Sequence, residues 1–437
     1  MQVEAVLALA TAIVASLALT PLAKRAAWKC GAVCRPDGER KLQSRPTPLL
    51  GGVSLYLSMF FATAAALGFA VAQRGFEAVP LYWAFTLSAG LLCLLGCWDD
   101  LRDLPARWKL LGQIVSTLPI VLAGCFLERL VIFGCSIEMG WLGAVWTIGW
   151  LVLGINALNL LDGMDGLAAA IGLVVSMAIA VIAGLQGQAE VAVLAMAIGG
   201  GLLGFLVYNR PPARIYLGDC GSMVIGLTLS LLALEVARAA PAGANVSVLV
   251  ALLFVPLLDT ALAIVRRRLS GRSFMAADRG HIHHRLLDRG LGVWKVLVLL
   301  GGICLTTCVV ACLAAVWHDE FWAWAALGVL MILLVNLQLV GYEEWTLLRR
   351  LLGQMAVRLV QRGASPGVGN RLRMVTPTPT APPMDRFAGG GDVASSHAPS
   401  RRRVAKSYQA EHPVVTQVQS PEHYRLPRRE VTRVDAA

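Results

Sequence analysis

The sequence predicts an all-α polytopic membrane protein with about eleven transmembrane helices. Three observations predict it. The 437 residues are 57% hydrophobic and only 15% charged, where a soluble chain carries about a quarter charged residues. The mean hydropathy is +0.66. The apolar residues also collect in blocks of about 18–24, the length that crosses a hydrocarbon core of roughly 30 Å. In lipid the backbone must satisfy its own polar groups, so blocks of this length are read as helices.

The blocks run over residues 3–23, 50–72, 80–98, 109–127, 141–158, 167–185, 190–208, 220–238, 246–265, 294–316 and 321–341. The first has no basic stretch before it and no small-residue cleavage site after it, so it reads as a retained helix, not a secretory signal. Basic residues set the orientation. The loops reached after the odd-numbered blocks hold twenty lysines and arginines, the opposite loops only Arg74, Arg129 and Arg238, and the segment after the last block fifteen. The basic side is therefore expected to be cytoplasmic, with the N-terminus outside and the C-terminus inside. The net charge of +11 is accounted for by this asymmetry and calls for no nucleic acid. The 10 cysteines fall mostly inside helices and suggest no disulfide framework. Cys30 and Cys34, without a second pair, are a weak metal signal.

Residues 1–341 read as one membrane-embedded domain. Over 342–362, Trp345, Leu348, Leu352, Met355 and Leu359 share one helical face and Arg349, Arg350, Arg358 and Arg362 lie elsewhere, the pattern of an interfacial amphipathic helix; an extension of the last span is the plainer alternative. Residues 363–437, rich in Pro, Ser, Thr, Gly and Arg, lack the apolar surface to fold and read as a disordered basic cytoplasmic tail.

Polar residues at the ends of spans are candidates for function, and here they gather on the basic side. Asp99 and Asp100 end the third block. Asn156, Asn159, Asp162 and Asp165 end the fifth, with Gly163 and Gly166 between them to allow close approach. Asn209 ends the seventh, and Asp219 opens the eighth within Gly218-Asp219-Cys220-Gly221-Ser222. After the ninth come Asp278, Arg279, His281, His283 and His284. Adjacent aspartates repel unless a proton or cation intervenes, and a hard cation such as Mg2+ takes carboxylate oxygens. For each, the plain reading is a solvated helix end, a cap or a basic loop: Asp219 could cap its own helix, and Asn159, Asp162 and Asp165, three apart and so on about one helical face, could form a capping turn. A cap needs one acid, however, and a basic loop does not explain three imidazoles. Together the residues supply carboxylates for a metal and a cationic loop for a diphosphate, which is what phosphoryl transfer requires.

With these residues in view, the chain resembles the polyprenyl-phosphate N-acetylhexosamine-1-phosphate transferases of the glycosyltransferase 4 type, and among them the bacterial undecaprenyl-phosphate GlcNAc-1-phosphate transferases. The resemblance rests on Pro46-Thr-Pro-Leu-Leu-Gly51-Gly52, Asp99-Asp100-x-x-Asp103, Asn159-Leu-Leu-Asp162-Gly-Met-Asp165-Gly, Asn209, Leu217-Gly-Asp219-x-Gly-Ser and Ala277-Asp278-Arg279-Gly-His281-Ile-His283-His284. It implies transfer of GlcNAc-1-phosphate from UDP-GlcNAc to a polyprenyl phosphate with release of UMP, early in a cell-surface polysaccharide pathway, in a bacterial inner membrane with the site facing the cytoplasm. It implies Mg2+, with Mn2+ as a substitute, held by Asp219 and Asn159. Asp99, Asp100, Asp162, Asp165, His281, His283 and His284 would be catalytic, and Lys41, Arg45, Asn159, Asn209 and Arg279 substrate-binding. The His-Ile-His-His form resembles the amino-sugar branch; other UDP-N-acetylhexosamines and phospho-MurNAc-pentapeptide stay open, as does a homodimer. Leu42 stands where relatives often have a histidine, which bears on the role of Lys41. Asp259 fits the family pattern but also a structural hydrogen bond. Rival readings are a secondary transporter, which would place its ionisable groups near the bilayer midplane, and a non-catalytic scaffold.

Overall fold

A computed structural model describes residues 2–35, 46–74, 80–240, 242–271, 280–341 and 344–349. Among them the helices are α1 (Gln2–Cys30), α2 (Gly51–Arg74), α3 (Pro80–Arg102), α4 (Ala106–Leu122), α5 (Leu142–Leu161), α6 (Leu167–Leu185), α7 (Ala189–Asn209), α8 (Asp219–Arg238), α9 (Val246–Leu252), α10 (Phe254–Leu269), α11 (Ile282–Asp288), α12 (Val293–Trp317) and α13 (Glu320–Asn336). The protein is an all-α, multi-pass membrane protein. Eight of these helices are long and apolar enough to cross a bilayer, and α9 with α10 makes up to a ninth span bent by 85°. This is fewer than the eleven expected, because α4 and α13 have 17 residues each, the short limit for a span. The bend belongs to Pro256, whose ring has no N–H to give and would clash with the carbonyl four residues back, at Leu252, in a continuous helix.

The bundle is organised around α8. Every residue from Cys220 to Leu234 is buried, as expected for a helix apolar on all sides. Helices α2, α3, α5 and α6 pack around it. Close crossing depends on small residues, the usual solution where lipid gives no hydrophobic drive between helices: Gly52 lies against the backbone of Gly221, and Gly96 against that of Cys220, with no room for a β-carbon. Buried polar groups bridge the helices. The Trp150 indole donates to the Ser230 carbonyl at 2.9 Å, and the Ser16 hydroxyl to the Gly201 carbonyl at 2.8 Å.

Short strands, unforeseen in the sequence, cover the two ends. At the end remote from the aspartates, β3 (Arg129–Ile132) and β4 (Cys135–Glu138) form a hairpin, and a parallel strand β5 (Ala244–Asn245) completes a sheet of order β4-β3-β5. Its turn, Phe133-Gly134, has φ of 50° and 76°, the two-residue geometry matched to strand twist. At the other end β1 (Val33–Cys34) pairs with β2 (Thr47–Pro48), Val33 opposite Pro48. The expected boundary at 341 and the helix over 342–362 fall largely outside the described residues; of the latter, 344–349 is helical. The expected tail lies wholly outside.

Candidate active site

The ends of α3, α5 and α7 and the starts of α4 and α8 meet around a cavity of about 530 Å3. Among the described residues six aspartates line it, Asp99, Asp100, Asp103, Asp162, Asp165 and Asp219, together with Asn159, Asn209, Tyr216 and His284. Its apolar wall includes Leu49, Met164, Leu287 and Val293.

Asp99 and Asp219 are held by one cation. The Lys109 ammonium, in the first turn of α4, lies 2.8 Å from Asp99 Oδ2 and 2.6 Å from Asp219 Oδ2. The other Asp99 oxygen accepts the Leu104 N–H at 2.7 Å, closing the chain as α3 ends. The other Asp219 oxygen accepts from the Asn159 amide at 2.5 Å, and that amide also donates to the Ser222 hydroxyl at 2.9 Å. In the sequence Lys109 is one of the twenty basic residues that set the orientation. Nothing in its neighbourhood in sequence announces a partner 110 residues away.

Asp100 performs the task weighed for Asp219. Its two oxygens accept the backbone N–H groups of Asp219, at 2.8 Å, and Cys220, at 3.2 Å. It thus caps α8 from a neighbouring helix, where the cap residue Gly218 offers no side chain and the helix dipole favours an anion. Asp219 is thereby left to turn its carboxylate to Lys109 and Asn159.

The Asn159, Asp162 and Asp165 series does not ride one helical face, because α5 stops at Leu161. Asp162 is the C-cap, and Asp165 accepts the Ala213 N–H at 2.8 Å, so the turn ties α5 to the loop after α7. Asn209 secures the same loop from the other side, donating to the Ile215 carbonyl at 2.9 Å. All four nonetheless line the cavity. Burial, then the charges of Asp219, Asp100 and Asp165, hold the Asp162 carboxyl well above the usual carboxylate range. The Tyr216 phenol, a wall residue missed in the sequence, is pushed up to about 12 by burial and by Asp165.

The three histidines separate in role. Only His284 reaches the cavity wall. His281 is buried, its Nδ1 2.8 Å from Asp259 Oδ2, while Asp259 Oδ1 accepts the Ile282 N–H at 2.9 Å. Asp259 therefore fastens the start of α11. His283 is fully buried, with its ring against Gly163, where a β-carbon would come within 2.5 Å of Nε2. Burial, then the nearby His284, holds its imidazole down at about 3, so it is neutral. Lys41, Arg45 and Arg279 lie outside the described residues.

The cavity donors are nearly all oxygens, the chemistry that suits Mg2+, and the charges of Asp219, Asp100 and Asp165, which add to burial in raising Asp162, are ones a divalent cation would offset. Among the described residues, no three acidic, histidine or cysteine side chains already converge as a metal cage; the Lys109 ammonium stands between Asp99 and Asp219 instead. The donor set fits such an ion in kind.

The model of the glycosyl transferase family 4 matches residues 82–237, the stretch from α3 through α8 that supplies all six aspartates. A probable undecaprenyl-phosphate N-acetylglucosaminyl 1-phosphate transferase of Bacillus subtilis is 31% identical over 344 residues, covering 78% of this chain and 92% of the relative. A decaprenyl-phosphate N-acetylglucosaminephosphotransferase of Mycolicibacterium smegmatis is 34% identical, over 63% of this chain and 73% of the relative. A phospho-N-acetylmuramoyl-pentapeptide-transferase of Moorella thermoacetica is 34% identical, over 65% and 91%.

Proposed function

The chain belongs to glycosyl transferase family 4, and on that premise we propose that it transfers N-acetylglucosamine-1-phosphate from UDP-GlcNAc to undecaprenyl or another polyprenyl phosphate, releasing UMP. The observation that carries this reading is the gathering of six aspartates, from three separate stretches of a membrane bundle, on one cavity that also has an apolar wall. Such a cavity suits a lipid phosphate beside a nucleotide diphosphate.

A lipid-phosphate oxygen attacks the sugar-bearing phosphorus, a new P–O bond forms, and the bridging P–O bond to UMP breaks. Asp99 takes the proton of the lipid phosphate or positions that phosphate. Lys109 bridges Asp99 and Asp219 and holds the two carboxyl groups side by side. Asp219 and Asn159, with Asp162 adjacent, would hold Mg2+, which when bound neutralises charge developing on the phosphoryl oxygens. Asp100 fixes the start of α8 and hence the aim of Asp219. Asn209 and Asp165 hold the loop walls, and His284, with Arg279, Lys41 and Arg45, completes the anion site. On this reading the site faces the cytoplasm from a bacterial inner membrane, and the excess of basic residues in the loops at this end supports that facing. Relatives that act on phospho-MurNAc-pentapeptide keep that donor as a second reading, against which the His281-Ile-His283-His284 pattern speaks.

The test is Asp219→Asn in membranes supplied with UDP-GlcNAc, undecaprenyl phosphate and Mg2+. The variant inserts in normal amounts, and its transfer rate falls at least about 100-fold; near-full activity refutes the assignment.

A further inference from the structure

Beyond the cavity, the last described residues reach back to the histidine segment. Glu344 follows α13, and its carboxyl oxygen Oε1 lies 2.5 Å from the guanidinium of Arg266 on α10 and 3.5 Å from that of Arg285 on α11. All three side chains are buried, at 6%, 5% and 6% exposed respectively. Arg266 in turn packs on Gly280, where a β-carbon would meet its Cζ at 2.9 Å. Gly280 precedes His281, and Arg285 follows His284. One carboxylate thus grips both flanks of the segment that delivers His284 to the cavity wall. Charges out of water demand close, well-placed partners, so the grip has a defined geometry.

We propose that Glu344 is a positioning residue: it fixes the histidine segment and, through His284, the grip on the donor's diphosphate. The segment after α13 thereby becomes part of the active-site scaffold. This inference rests on the functional reading above.

The test uses the full-length protein with Glu344→Gln, which keeps the shape and removes the charge. Two readouts are taken. The first is amide hydrogen exchange, which needs no activity. Exchange over 280–288 accelerates about tenfold or more while that of α8 is unchanged; unchanged exchange over 280–288 overturns the proposal. The second is kinetic. KM for UDP-GlcNAc rises about tenfold while kcat changes less than about threefold. Glu344→Asp recovers part of the loss, and adding Glu344→Gln to His284→Ala costs nothing further, because both act through one contact. Wild-type KM, or effects that multiply in the double variant, overturn it. If Glu344→Gln does not fold, Glu344→Asp is read in the same way against His284→Ala. If the wild type itself makes no lipid product, the functional reading fails, and hydrogen exchange still decides the positioning claim.

Discussion

At the scale of single residues, the site is a problem in charge. Six aspartates border one cavity, and Lys109 bridges two of them. Its compact ammonium fits between two carboxylates in a way a planar guanidinium does not. Lys109→Met and Lys109→Arg are both expected to lower transfer by at least about 100-fold with normal membrane insertion, as measured by lipid-product formation against protein quantified in the same membranes. The aspartates and amides were legible in the sequence because acids are rare at the ends of apolar spans. Lys109, Tyr216 and the capping role of Asp100 were not, since each depends on a partner that only the fold brings near. His283 gives a pH prediction. Unfolded, its imidazole takes a proton below about 6.5; folded, it stays neutral down to about 3. The unfolded state therefore binds the extra proton, and stability falls as pH drops through that window. His283→Leu lacks this component, so its melting temperature should decline less than that of wild type between about pH 7 and pH 5.

At the scale of elements, what the sequence displayed was apolar length, and every block is helical, all but 246–265 as a single helix or part of one. What it hid was how helices break and touch. The block 246–265 is two helices, α9 begun by the Asn245 side chain accepting the Ser247 N–H at 2.9 Å and α10 carrying Pro256 in its first turn. The hairpin at 129–138 turns on Phe133-Gly134, which lacks the Asn-Gly or Asp-Gly signal of such turns. The crossing of α3 with α8 decides where Asp99 and Asp100 stand relative to Asp219. Gly96→Val would drive a side chain into the Cys220 backbone and should destabilise by about 1–3 kcal/mol with loss of transfer. Gly68→Val, on the same kind of helix but with nothing within 4 Å of its added β-carbon, should do neither. Thermal melts in detergent and transfer rates, taken together, check the pair; equal effects of the two would contradict the packing account.

At the scale of the whole molecule, the fold class and the convergence of polar ends on one face followed from block length and basic-loop asymmetry, whereas the number of spans did not. Hydropathy cannot tell a 17-residue helix that crosses the bilayer from one that stops short, and α4 and α13 are of that length. The orientation makes a further prediction. Cysteines introduced at Asp103, Met164 and Asp288, in a background without the native thiols, should all react with a membrane-impermeant maleimide from the cytoplasmic side alone; labelling from opposite sides would dismantle the cavity as a site. The central claim is more specific than a location: the sugar moves with its phosphate. The most direct measurement is the nucleotide released when the purified protein turns over UDP-GlcNAc with undecaprenyl phosphate and Mg2+. The account predicts UMP in a one-to-one ratio with a lipid-linked sugar diphosphate. Release of UDP with a lipid-linked sugar monophosphate, or turnover with no lipid product, would contradict it.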